Sequence, residues 1–156
     1  MKNELMMVTS TDEFFYEAVK TALQQKNMKL NSELEFYLVE ILSRFALSDN
    51  LYAIDQHGRY KEEPLVLMLK EAEEENNKAA KRLLFRHVGD VALYTSAVFP
   101  DSRLSSDYYS FMGQNAYINA AKLYPKGTLA NLCRELCSNF GKISLLLKSI
   151  PIIRTK

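Results

Sequence analysis

Cysteine is scarce in this chain of 156 residues, where Cys133 and Cys137 are the only two. They stand four apart on one predicted helix and project from successive turns of the same face, where a disulfide would constrain little. The expected state is two buried thiols in a reducing cytoplasm. Net charge is nearly absent as well, at +1. A dedicated nucleic-acid binder needs a basic face and usually a basic total, so nucleic acid is not an expected partner. No apolar run approaches the roughly 18 residues of a membrane span, and the start, MKNELMMVTSTDE, has only Leu5 to Val8 as an apolar run, too short for a signal-peptide core. The chain also lacks an alternating strand pattern, an internal repeat, a phosphate-binding glycine loop, a nucleophile elbow, an HExxH and a paired CxxC. These absences weigh against several common enzyme classes and leave open any site built from residues distant in sequence.

What is present is helical periodicity. With 47% hydrophobic and 25% charged residues the chain can bury a core without staples. The expected fold is all-α, a single-domain bundle of about six helices over residues 1–151 with a short tail at 152–156. Ser10 and Glu13 have capping-box spacing before a first helix to about Lys26 that carries Phe14, Phe15, Ala18, Val19, Ala22 and Leu23. Ser32 and Glu35 repeat the signal for a second helix ending near Leu47, so the short loop from Asn27 to Asn31 predicts antiparallel neighbours. Between Ser48 and Glu62 the periodicity fails around His57 and Gly58, a length at which an irregular loop is uncommon enough to be of functional interest. Pro64 suits the first turn of a third helix with Leu65, Val66, Leu69 and Ala72 inward.

The stretch from Leu83 to Pro100 is apolar almost all the way round and is expected to be the central helix, over residues 77–99, ended by Phe99-Pro100. A fifth helix carries Tyr108, Tyr109, Met112, Ala116, Tyr117, Ala120 and Ala121. A sixth starts at Thr128, with Gly141 as a candidate kink before Ile150. Gly89-Asp90 followed by Leu93, then Phe99-Pro100, Tyr108-Tyr109, Gly113 and Ala116-Tyr117, together with ELEFYLVEILSRF and EEPLVLMLKEA, resembles a group of uncharacterised bacterial all-helical proteins. That resemblance implies a bacterial, cytoplasmic, non-secreted protein and brings neither an activity nor site residues.

The polar interruptions of the central helix are the place to look for chemistry. His87, Asp90 and Tyr94 fall along one line of it, with Arg86 four residues before Asp90. One reading makes His87 and Asp90 an acid/base pair or the edge of a small-ligand pocket between the fourth and fifth helices. The other has Asp90 accept hydrogen bonds from Arg86 or from the tyrosines Tyr109 and Tyr117, fixing helix packing. Zinc wants at least three protein ligands, and none is expected here. No cofactor is expected either. Gly89 and Gly113 each cost a helix about 1 kcal/mol relative to alanine, which close approach of the fourth and fifth helices would offset. Tyr108 and Gln114 on the fifth helix, and Ile152 and Ile153 beyond Pro151, are candidates for contact with a protein partner or a second copy. After Glu135 the chain has no acidic residue but keeps Lys142, Lys148, Arg154 and Lys156 among aliphatic residues. A membrane surface is a weaker alternative use of that stretch. The function that fits best is a non-catalytic helical interaction or regulatory module.

Overall fold

The computed structural model describes residues 2–46, 64–98 and 106–150. Among them the fold is all helical, with α1 (Lys2–Gln25), α2 (Ser32–Ala46), α3 (Pro64–Glu74), α4 (Lys78–Val98), α5 (Ser106–Leu123), α6 (Thr128–Ser138) and α7 (Phe140–Lys148). The predicted loop at 48–62, the Phe99-Pro100 stop and the Ile152–Ile153 segment lie outside the described residues.

Among the described residues seven helices stand where about six were expected, because the predicted sixth divides at Asn139. This residue sits at φ −111°, ψ 19°, between the helical and extended basins, and both its backbone N–H and its Nδ2 donate to the Glu135 carbonyl, at 2.9 and 3.1 Å. Gly141 is therefore not the break. It lies inside α7 on the exposed side, with nothing within 4 Å of where a Cβ would stand.

The first helix begins at Lys2, well before the Ser10–Glu13 pair. The residues ahead of that pair are mostly good helix formers, so a capping spacing does not end a helix that can continue through it. Its other end closes on Asn27, which adopts φ 53° while Met28 N–H bonds to Leu23 O and Asn27 N–H to Gln24 O. This is the double hydrogen bond of a Schellman stop with asparagine in the left-handed position. Four residues later Asn31, and not Ser32, caps α2, its Oδ1 accepting from Leu34 N–H at 2.8 Å. The Asn31 amide also donates to both Glu135 carboxylate oxygens, at 2.8 and 2.7 Å, tying the start of α2 to α6.

Two inward assignments change. Val66 is exposed, because the buried stripe of α3 runs from Leu65 to Ala72 and Val66 lies about 100° round from it. Phe14 is nearly half exposed for the same reason, beside buried Phe15.

The central position of α4 holds, but for its second part. Asn77 Oδ1 caps the helix through Ala80 N–H at 2.9 Å, and every residue from Val88 to Val98 is buried under α5, α3, α7 and α2. Leu83, in the first turns, is about half exposed. A Cβ on Gly89 would stand 2.6 Å from the Tyr117 ring, so this glycine marks the close crossing of α4 and α5. Gly113 does not face Gly89. A Cβ there would enter the ring of Phe140, so its missing side chain admits α7 instead.

Candidate functional site

Asp90 is 1% exposed and is the buried carboxylate where three helices meet. Tyr37 of α2 donates its hydroxyl to both oxygens, at 2.7 and 2.8 Å; Tyr117 of α5 donates to Oδ1 at 2.7 Å; Arg44 of α2 donates to Oδ2 at 2.9 Å. Tyr37 and Arg44 stand seven apart, two turns along one face of α2, which is why both reach the same acceptor. The expected tyrosine partner on α5 is present. The expected arginine is a different one: Arg86 turns to the Tyr124 hydroxyl at 3.0 Å and lies 6.0 Å from the Tyr37 ring, while Arg44 arrives from the neighbouring helix.

Complete burial pushes the Asp90 carboxyl above its ordinary value of 3.8, against the pull of its hydrogen bonds from Tyr117, Tyr37 and Arg44. Burial, with the carboxylate alongside, also raises the phenols Tyr37 and Tyr117, so both remain protonated donors. A raised carboxyl binds its proton more readily folded than unfolded. Its contribution therefore favours the folded state more as pH falls from above its folded value toward 3.8. Measured by urea denaturation, the stability of the natural chain relative to Asp90→Asn is expected to rise as the pH is lowered from 7 toward 4. A flat or falling difference would contradict this assignment.

The other predicted polar residues do not converge on Asp90. His87 is open to solvent on one side and lies against Phe45, ring centroids 6.3 Å apart, and its partial burial lowers its pKa. Tyr94 is buried edge-on to Phe45 at 5.2 Å. Tyr109 is buried, with Tyr108 half-buried against it at 5.5 Å. Gln114 donates to the Cys137 carbonyl at 2.9 Å, joining α5 to α6. The tyrosines of α5 thus fill the core between helices. Burial pushes the Cys133 thiol up to about 11 and raises Cys137 as well, which keeps both in the unreactive thiol form. Among the described residues no three His, Cys, Asp or Glu side chains come together as a metal site.

A different place has an open, unfilled surface. Between α1 and α2 runs a groove of about 670 Å³. Its apolar wall is Tyr16, Phe36 and Val39, with the Tyr16 and Phe36 rings 6.0 Å apart and Phe36 62% exposed. Four carboxylates line it, those of Asp12, Glu13, Glu17 and Glu40. None of the four has an ion-pair partner among the described residues. The one cation of the lining, Arg44, is already paired with Asp90. Ser43 also lines the groove. It is 93% buried and its Oγ has no hydrogen-bond partner among the described residues. A helical serine can usually bond back to the carbonyl four residues earlier, and a buried hydroxyl left without a partner costs about 1–3 kcal/mol. Sequence reasoning missed this groove. Its one available signal was Phe36, an aromatic residue off the apolar stripe of α2.

The fold and these two places define a helical bundle, of seven helices among the described residues, pinned by a buried carboxylate and with an acid-lined apolar groove on one side. No protein-family model, curated protein or solved structure matches the chain.

Proposed function

We propose that this protein is a non-catalytic helical interaction or regulatory module acting through protein–protein contacts, and that it docks its partner in the α1–α2 groove. The observation that carries the reading is the groove's composition: exposed Phe36 beside Tyr16, and four carboxylates without an ion-pair partner among the described residues. Such a surface suits a peptide segment with aliphatic and cationic side chains. Aromatic rings flanked by carboxylates accommodate both the stem and the head of lysine or arginine. The state of Asp90 supports the non-catalytic part. Both of its oxygens are occupied by donors from the protein, and the space beside Gly89 is filled by the Tyr117 ring, leaving neither a free proton acceptor nor room for a ligand there. A cytoplasmic setting accords with the two free cysteines. Among the described residues no helix is long and apolar enough to cross a membrane.

Isothermal titration with a synthetic hexapeptide carrying two isoleucines and two arginines, and with its glutamate counterpart, tests the reading. The basic peptide is expected to bind and the acidic one not to. Glu17→Lys combined with Glu40→Lys should weaken binding about tenfold, since turning two surface attractions into repulsions amounts to roughly 1.4 kcal/mol. Asp90→Asn should leave binding unchanged. Equal binding of the two peptides, no binding of either, or indifference to the groove substitutions would each count against it.

A further inference from the structure

We propose that the partner enters the α1–α2 groove as an amphipathic α-helix with cations along one flank, and not as an extended strand. The inference rests on the reading of that groove as a docking site and names the kind of segment it takes.

Backbone satisfaction is the first support. The lining from Asp12 to Glu17 lies deep inside α1, while Phe36 is four residues past the Ser32 start of α2 and Glu40 six before its Ala46 end. Backbone N–H and C=O groups at such positions are already bonded within their own helices. Side-chain donors are few among the described lining residues. Arg44 is held by Asp90 at 2.9 Å and Ser43 is buried, which leaves the Tyr16 hydroxyl. An extended peptide pressed against the Tyr16–Phe36–Val39 wall would therefore bury carbonyls for which the lining holds almost no donor, and a polar backbone group buried without a partner is costly. A helix brings its backbone bonds with it. It lays only side chains on the wall, the mode in which an apolar stripe at i, i+3, i+4 and i+7 fills a groove.

Dimensions are the second. From Phe36 to Arg44 along α2 is about 12 Å at 1.5 Å per residue, and from Asp12 to Glu17 along α1 about 7.5 Å. Roughly two turns of helix span that length and present three or four apolar side chains to it. An extended chain crosses it in about four residues, and alternate side chains face away, so only about two reach the wall.

Charge is the third. Asp12, Glu13 and Glu17 stand on α1 and Glu40 on α2, none with an ion-pair partner among the described residues, and the lining's Arg44 is taken up by Asp90. Glu13 and Glu17 are one turn apart on the same side of α1. A helix lying alongside has the same rise, so two cations at i and i+4 on the flank facing α1 meet both carboxylates together.

The test is isothermal titration of the full chain with peptides of about 15 residues, the length at which an isolated helix becomes marginally stable. Two share one composition of isoleucine, arginine, alanine and glutamine. The first places isoleucine at i, i+3, i+4 and i+7 with arginines four apart on one flank, and the second rearranges the same residues into strict alternation. A third repeats the first with proline at a central position on its solvent side. The helix-patterned peptide is expected to bind at least about tenfold more tightly than the alternating one. The central proline should weaken it about a hundredfold, the equivalent of the roughly 3 kcal/mol that proline costs a helix interior. Glu13→Gln with Glu17→Gln, both at exposed positions, should weaken the first peptide about fivefold, with no such loss once its two arginines are replaced by glutamine. Equal or tighter binding of the alternating peptide, or indifference to the proline, would overturn the helical occupant while leaving the docking reading intact. No loss from the paired glutamine substitutions would overturn the cationic flank. Failure of every peptide to bind would overturn both the occupant and the docking site.

Discussion

Asp90→Ala is expected to lower the free energy of unfolding by roughly 3–5 kcal/mol in urea denaturation. The substitution leaves the Tyr37 and Tyr117 hydroxyls buried without their acceptor and opens a void where three helices meet. Each orphaned hydroxyl costs about 1–3 kcal/mol. Arg44 adds less than its formal charge suggests, because its side chain is 42% exposed and water can solvate it once Asp90 is gone. The origin of the loss can be checked directly. Combining Asp90→Ala with Tyr37→Phe and Tyr117→Phe removes the stranded donors together with their acceptor. The triple variant should therefore be more stable than the sum of its three single losses implies, since removing both partners of a buried hydrogen bond is milder than removing one.

Gly89→Ala should be the second severe change, lowering stability by about 2–4 kcal/mol even though alanine is worth about 1 kcal/mol more than glycine in a helix interior. The new methyl would stand 2.6 Å from the Tyr117 ring. That ring is fully buried and its hydroxyl is held by Asp90, so it cannot swing aside without giving up a hydrogen bond to a carboxylate, worth about 1.5–3 kcal/mol. The same reasoning predicts coupling in a double-mutant cycle by chemical denaturation. Tyr117→Phe should be costly in the natural chain and nearly free beside Gly89→Ala, where the bond is already broken. Additive effects would mean that the ring and the glycine do not oppose one another.

The sequence discloses the part of this architecture that is written locally. An apolar run interrupted by few polar residues marks α4 as the covered helix, and interior glycine at 89 with tyrosine on the following helix points to the α4–α5 crossing. Asp90 is recognisable as the buried polar residue to watch. Its partners Tyr37 and Arg44 are not, because they stand 53 and 46 residues earlier and only the packing of α2 against α4 brings them in. Their common face on α2 was visible, but many helices place a tyrosine and an arginine seven apart. Arg86 looked like the nearer partner on spacing alone, yet a guanidinium four residues away on the same helix competes with any that arrives from a neighbour. The α1–α2 groove is less legible still. It depends on which residues are left uncovered when two helices pair, and Phe14 and Phe36 are among those that stay exposed. The break at Asn139 was misplaced to Gly141 because glycine is the usual helix breaker, whereas here asparagine takes the position with its side chain on the Glu135 carbonyl.

The account holds that Asp90 is a structural pin and that the protein meets its partner between α1 and α2. Its most direct test is heteronuclear NMR of the isotope-labelled full chain, titrated with the isoleucine–arginine hexapeptide and followed residue by residue. The account predicts shift changes centred on Tyr16, Phe36, Val39 and Ser43, with the resonances around Asp90 unmoved. Changes centred instead on His87, Asp90 and Tyr117 would contradict it.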